Sequence, residues 1–417
     1  MQAVILAAGL SSRFYPLASG MHKSMIKICG KPILEYTING LKMSGIKDIV
    51  LVVSSTGLIE SYFGNGEKFG VSMKYVIQPK PLGMGNALLL AEKNLKGDFL
   101  LLNASHVDIG IFAKKLIDAK SEENKSIILV KEEENTWKFG VVKLSGDRVE
   151  ELIEKPKKGE EPSKLRVIGI YYFSRKFLSE LKNTPQDHYQ LEAAISSFAK
   201  KNYVKAVIIK EETITLKYSW DLLSVKNFIF KLLKGAVGKN VNIAKTAEII
   251  GDVVIEDGAE ILEGAKIKGP CYLGKNTYVG NHAVLRNNVD LGENSVVGAY
   301  MEVKNSIIMS NSKTHAGFIG DSIIDQNCRI GTQFCTANVR LDRSTVKVDF
   351  KGKVIDTGLK SLGMILGKNV RIGVKCSTMP GVTIGENAIV GPSTVVSQNV
   401  EANTKYYSKF QEIIIKK

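Results

Sequence analysis

No segment of this chain of 417 residues is apolar over the roughly 18–20 positions that a membrane-spanning helix needs. The apolar run near the N-terminus, Ala3 to Ala8, is six residues long and has no basic segment before it. That is the pattern of a strand, not of a signal peptide. Cysteine is scarce. There are five, at positions 29, 271, 328, 335 and 376, an odd number without a CxxC pair. This argues against a disulfide framework or a zinc site and predicts reduced, mostly packed thiols in a cytoplasmic protein. Although the net charge is +15, there is no dense Lys/Arg run interleaved with aromatics. The lysines are spread along the chain, which argues against nucleic acid as the partner. The charge reads as solvated surface plus sites for anionic ligands such as nucleotides, sugar phosphates or coenzyme A.

The length exceeds one ordinary core, so two domains are expected. Residues 1–230 alternate short aliphatic runs (Ile49–Val53, Phe99–Leu102, Ser126–Val130) with helical patterns. Strands apolar on both faces and separated by helices predict an α/β domain with a mostly parallel, Rossmann-like sheet. Ligands of such sheets lie outside the carboxyl ends of the strands. The loop at Gly9 and the segment after Leu102 are two such ends.

After a linker expected at 231–246, the period changes. Every sixth residue from Ile249 to Val303 is aliphatic, and many are followed by glycine. A second run holds Leu366, Ile372, Ile384, Val390 and Val396, with Thr378 the exception. A step of six is the hexapeptide repeat of a parallel β-helix, each aliphatic residue pointing into the coil. It is expected over 247–405, with an insertion loop at about 335–365. Residues 406–417, with Ile413, Ile414 and Ile415, are expected to cap the last coil.

The loop after the first strand carries Gly9, Ser11, Ser12 and Arg13, followed by Lys23, Gly30-Lys31-Pro32 and Glu35-Tyr36. Small residues let backbone N–H groups close on phosphate oxygens, and Arg13 and Lys23 add fixed positive charge. The set resembles the signature of sugar-1-phosphate nucleotidylyltransferases. That resemblance implies a triphosphate held by Gly9, Ser12 and Arg13, with Lys23 near the α-phosphate, and a base read by Gln78 and Gly83. It further implies a sugar phosphate bound by Glu154, Lys155 and Gly169. The family's cofactor is Mg²⁺, held by two aspartates. Here Ser105 and Thr215 stand at those positions. Neutral hydroxyls are poor ligands for this ion, so no metal ligand is assigned and impaired nucleotidyl transfer is expected. Asp108 and Asp221 are the nearby carboxylates that remain as alternatives. His22 stands where the family has proline, and Leu191-Glu192-Ala193 lacks a further family aspartate.

The hexapeptide repeat resembles the left-handed β-helix of hexapeptide acyltransferases. With it, the whole chain resembles archaeal-style bifunctional enzymes that acetylate glucosamine 1-phosphate and then uridylylate it. The resemblance implies acetyl-CoA as acyl donor, Arg286 and Lys304 on the sugar phosphate, His315 as general base and Asn338 orienting the substrate. It also implies a trimer. Two departures stand out: the family tyrosine is Phe318, and Arg329-Ile330-Gly331-Thr332-Gln333-Phe334 replaces a stretch of small residues, putting bulk where substrate should approach. His106, His188 and His282 read as surface or packing residues. Two functions stay open at this point. One is an enzyme of nucleotide-sugar biosynthesis, with activity favoured in the acetyltransferase half. The other is a regulatory or scaffolding subunit that binds nucleotide or nucleotide sugar and assembles with an active paralogue.

Overall fold

The computed structural model describes residues 1–121, 126–411 and 413–415. The chain divides into two compact units. The first comprises Met1–Ser11, Gly20–Ile26 and Pro32–Ile214; the second comprises Ser12–Ser19, Lys27–Lys31 and Thr215–Lys417.

The first unit is built on a nine-stranded sheet. Its strands are β1 Gln2–Ala7, β2 Asp48–Val53, β3 Ser72–Ile77, β4 Phe99–Asn103 and β5 Ser126–Glu132. They continue with β6 Gly140–Ser145, β7 Arg148–Glu154, β8 Leu165–Phe173 and β9 Val204–Ile209. The order is β3-β2-β1-β4-β8-β5-β9-β7-β6. Strands β1 to β4 pair in parallel, as do β5 and β9, while β8 runs antiparallel between β4 and β5. The period-2 rule explains why β1 is apolar throughout. Val4 and Leu6 enter one core and Ala3, Ile5 and Ala7 the other.

Helices α1 Ile33–Met43, α2 Leu58–Phe63 and α4 Ile109–Asp118 cover the second of these faces. Helices α3 Met84–Ala91, α5 Phe177–Asn183 and α6 Gln190–Lys201 cover the first. Each contributes an apolar stripe; in α1 it is Leu34, Ile38 and Leu41, at the i, i+4, i+7 spacing of one helix face.

The second unit is a left-handed parallel β-helix of hexapeptide repeats. Its strands stack into three parallel sheets of eight, nine and eight strands. Ile249, Ile267, Leu285 and Val303 sit in register, eighteen residues apart, so three hexads make one coil. From Ile255 to Val303, the sixth-residue positions are at most 1% exposed. Ile249 departs from the expected pattern. Its strand is the first of its sheet, nothing stacks before it, and it is 37% exposed. Thr378 keeps an interior position and is fully buried, so the exception in residue type is not one in place. Beyond Val303 the next coil is shorter, pairing Val303 with Ile319 sixteen residues on. The strict step of six ends there.

Coil corners need left-handed backbone, and asparagine tolerates it better than most residues. Asn276, Asn294 and Asn311 have φ of 53°, 56° and 61°. Their side chains hydrogen-bond in a ladder, Asn276 Nδ2 to Asn294 Oδ1 at 3.2 Å and Asn294 Nδ2 to Asn311 Oδ1 at 3.2 Å.

Three boundaries differ from the sequence expectation. Ala236–Val237 and Asn242–Ile243, placed in the linker, already pair with the following coil. A helix α7, Leu222–Phe230, belongs to the second unit rather than the first. At the other end, Lys405–Tyr406 still pairs with Ile389–Val390. Ile413, Ile414 and Ile415 are 78–86% exposed and do not cover the last coil, while positions 412, 416 and 417 of the expected cap lie outside the described residues. The insertion leaves the stack after Phe334–Thr336 and returns at Ile365–Leu366. It carries an antiparallel hairpin, Lys347–Phe350 with Lys353–Asp356.

Candidate functional site

In the first unit, the carboxyl ends of β1 and β4 lie side by side. Leu6 pairs with Asn103, and the Ala104 N–H donates to the Leu6 carbonyl at 3.1 Å. Gly9 follows β1, and Ser105 and His106 follow β4. Strand β8 completes the ledge with a bulge between Val167 and Tyr171. Gly169 sits in that bulge at φ 80°, where a side chain would be strained and would lie within 3.5 Å of His106 Nε2.

Ser11 adopts φ 52°, and its Oγ accepts the Lys23 N–H at 2.9 Å, tying the loop after β1 to the lysine. Ser12 and Arg13 form a short 3-10 turn with Phe14 that counts with the second unit, and both are exposed. His22 is held by Ser24, whose N–H donates to Nδ1 at 3.3 Å and whose Oγ lies 2.7 Å from the same nitrogen. Burial first, and the Lys23 charge second, push this imidazole down to about 3, so it is neutral.

Gln78 spends its side-chain amide on the turn that begins α3, donating to Gly83 O at 3.2 Å and Asn86 Oδ1 at 2.8 Å. Gly83, at φ 102°, is the N-cap of α3. Glu154 and Lys155 are neighbours in space as well as in sequence, Oε1 to Nζ at 3.4 Å, and Lys155 reaches the Tyr189 hydroxyl at 3.4 Å. Glu192 joins this cluster. It is 5% exposed, and burial, with the Glu154 charge adding, raises its carboxyl to about 7.

The donor set does not fit Mg²⁺. Ser105 and, in the second unit, Thr215 are neutral hydroxyls where the resemblance led to an expectation of aspartate. The two alternative carboxylates are committed to backbone. Asp108 Oδ2 accepts the Ile214 N–H at 2.8 Å, and its Oδ1 is 3.3 Å from His106 Nδ1. Asp221 Oδ2 accepts the N–H groups of Lys217 at 2.7 Å and Tyr218 at 2.8 Å. Among the described residues no three His, Cys, Asp or Glu side chains are grouped to hold a metal ion.

In the second unit, one sheet carries Arg286, Lys304 and Gly320 in register, and alongside them Glu302 with Phe318. Arg286 donates through Nε and Nη2 to Glu302 Oε1, both at 2.6 Å. Lys304 Nζ donates to Asp321 Oδ2 at 2.9 Å, and Asn338 Nδ2 donates to the same oxygen. Two of the residues expected on the sugar phosphate thus share one sheet, with both cations already facing carboxylates, and Asn338, in the loop after Phe334–Thr336, joins Lys304 on Asp321. His315 lies at an exposed corner two residues before the Gly317–Gly320 strand. Among the described residues its ring makes no hydrogen bond to this set.

One expected obstruction is absent. Phe334 is 1% exposed, pointing into the coil because the Phe334–Thr336 strand alternates inward and outward. Only Gln333 of that pair is exposed. Among the histidines read as packing, His282 stacks on Tyr300 at 5.3 Å. His106 is different: it is buried beside Gly169, just past the carboxyl end of β4. Its spacing to Asp108, two residues on, was the available signal. Glu302 gave no signal, since a single carboxylate in a strand carries no pattern.

Comparison with known proteins agrees with this architecture. Residues 2–221 match the nucleotidyl transferase family model, residues 267–377 the GMPPB C-terminal domain and residues 363–398 the bacterial transferase hexapeptide repeats. The chain is 35% identical to the bifunctional protein GlmU of Methanococcus maripaludis strain S2, over all of both chains. It is 37% identical to the protein of that name in strain C7, again over all of both. A bifunctional sugar-1-phosphate nucleotidylyltransferase/acetyltransferase of Sulfurisphaera tokodaii is 33% identical, over 96% of this chain and 98% of its own. No helix among the described residues is long and apolar enough to cross a membrane. The chain belongs to the nucleotidyl transferase family, with the two-domain build of the sugar-1-phosphate nucleotidylyltransferases that carry a C-terminal hexapeptide β-helix.

Proposed function

We propose that this is a cytoplasmic protein of nucleotide-sugar biosynthesis whose β-helix acetylates the amine of an amino-sugar 1-phosphate. Its first unit binds a nucleotide or nucleotide sugar and transfers nucleotidyl groups slowly. The observation that carries the reading is the contrast between the two units. In the first, Ser105 is a neutral hydroxyl where the resemblance expects a metal carboxylate, and the nearby Asp108 is spent on the Ile214 N–H. In the second, Arg286 and Lys304 lie in register on one sheet, and they and Asn338 are held by carboxylates.

The chemistry asked of the second unit is modest. The substrate amine attacks the thioester carbonyl of acetyl-CoA, and a C–N bond forms. The tetrahedral intermediate collapses with cleavage of the C–S bond, and the thiolate leaves and is protonated. His315 takes the proton that the amine loses, a task suited to imidazole. Arg286 and Lys304, shared with Glu302 and Asp321, hold the phosphate so that attack becomes effectively intramolecular. Phe318 lacks the hydroxyl that a tyrosine would donate, so a low rate is expected. In the first unit, Gly9 and Lys23 hold the nucleotide phosphates.

The second reading, a regulatory subunit paired with an active paralogue, is favoured by one observation: the His315 ring is exposed, and among the described residues it has no hydrogen-bond partner to orient it. Coenzyme A release from acetyl-CoA in the presence of amino-sugar 1-phosphates separates the two. Release that saturates with the sugar supports the enzyme; none with any amino sugar, together with nucleotide binding by calorimetry, supports the regulatory subunit. Either form is expected as a homotrimer or a mixed oligomer of the same build. A stable species of 45.7 kDa by light scattering would count against assembly.

A further inference from the structure

Lys226 lies on α7, inside the second unit, and has no exposed surface. Burying an ammonium costs several kcal/mol of lost hydration, and an apolar residue of the same volume would pack as well. Burial accordingly lowers this lysine to about 7, against the opposing pull of Asp290 and Asp321. Its Nζ donates to the Asn288 carbonyl and, at 2.9 Å, to Asn305 Oδ1. Asn305 passes the connection on. With its oxygen fixed by the lysine, its Nδ2 donates to Asp321 Oδ1 at 2.7 Å. Asp321 is 2% exposed and is divided between two tasks. Oδ1 faces this interior chain, and Oδ2 takes Lys304 Nζ and Asn338 Nδ2. The lysine also fixes the amide of Asn305, since only the oxygen of that side chain can accept from an ammonium.

We infer that Lys226 and Asn305 are positioning residues for the sugar-phosphate face: they hold the Asp321 carboxylate so that its outer oxygen places Lys304 and Asn338. The inference rests on the reading of that face as the binding site for an amino-sugar 1-phosphate. Neither residue touches substrate. Without the chain, the Asp321 side chain is free to turn, and the lysine and the asparagine lose their common acceptor. The loss falls on sugar-phosphate affinity and leaves the acyl donor's affinity alone.

Two variants test this, with glucosamine 1-phosphate and acetyl-CoA as substrates. Lys226→Met removes the buried charge with little change of volume. Asn305→Gly removes the link at a partly exposed position and keeps the backbone, which sits at φ 44°; it carries the test if the first variant does not fold. Each should raise KM for glucosamine 1-phosphate about tenfold, the scale of one charge-assisted hydrogen bond. KM for acetyl-CoA and kcat should stay within about twofold. If the folded variants instead lose kcat with KM for the sugar phosphate unchanged, the residues are merely structural and the inference is wrong. If the unmodified protein neither binds nor acetylates glucosamine 1-phosphate, the reading of the face falls, and this inference with it. If it does both and the variants behave like it, this inference alone falls.

Discussion

Replacing Asp321 with asparagine is the most informative single change in the second unit. The carboxylate receives three donors, from Lys304 at 2.9 Å, Asn305 at 2.7 Å and Asn338. Asp321→Asn keeps the shape, and asparagine tolerates the φ of 49° found there, so backbone strain contributes nothing. The charge goes, and one acceptor oxygen becomes an NH₂ group facing donors. A hydrogen bond to a charged group contributes about 1.5–3 kcal/mol, and at least one is lost outright. The Lys304 side chain is 23% exposed and can turn partly to water, which recovers some of the cost. A loss of about 1.5–3 kcal/mol follows for the β-helix. Urea unfolding followed by circular dichroism reads it as an earlier β-helix transition, with the transition of the first unit unmoved. A change below about 0.5 kcal/mol, the level of an ordinary surface substitution, would refute the claim that this carboxylate organises the face.

Other outcomes follow from the remaining groups. His22 has its folded pKa depressed to about 3, below the ordinary 6.5, so its contribution to stability is complete above 6.5 and is lost as pH falls toward 3. Melting temperature should therefore drop over that window, and His22→Gln should flatten the drop; an identical profile would exclude His22 as its source. Ser105→Asp combined with Thr215→Asp should raise Mg²⁺-dependent pyrophosphate release, because carboxylates supply the missing hard ligands. No gain would mean that more than the metal ligands has been lost. His315→Ala should reduce acetyl transfer by about 10²–10⁴-fold, the usual worth of general-base catalysis, and robust activity in that variant would remove His315 from the site.

The sequence displayed much of the architecture because both folds write periodic patterns. Val4 and Leu6 against Ala3, Ile5 and Ala7 mark a strand buried on two faces, and the step of six from Ile255 to Val303 marks coil interiors. The pattern fails where the geometry changes. The coil from Val303 to Ile319 drops two residues, and Ile249 has no coil before it to cover it. Phe334 looked like an obstruction because a linear motif does not say which way a short strand alternates. Arg286 and Lys304 were expected on a phosphate by type and position, and the fold sets them in register on one sheet. Their carboxylate partners were not expected, because Glu302 and Asp321 lie sixteen or seventeen residues away, one coil over. Lys226 was illegible altogether. It sits in a helix whose other buried residues are apolar, and only the fold shows that its ammonium ends in the interior.

The central claim is that acetyl transfer outpaces nucleotidyl transfer in this chain. Both are measurable on one preparation with Mg²⁺ present. Coenzyme A release is followed with acetyl-CoA and glucosamine 1-phosphate, and pyrophosphate release with each nucleoside triphosphate and the corresponding N-acetylated sugar phosphate. The account predicts saturable coenzyme A release, with pyrophosphate release well below about 1 s⁻¹, the low end of ordinary enzyme turnover. Pyrophosphate release at or above that rate, dependent on Mg²⁺ and accompanied by no coenzyme A release, would contradict it.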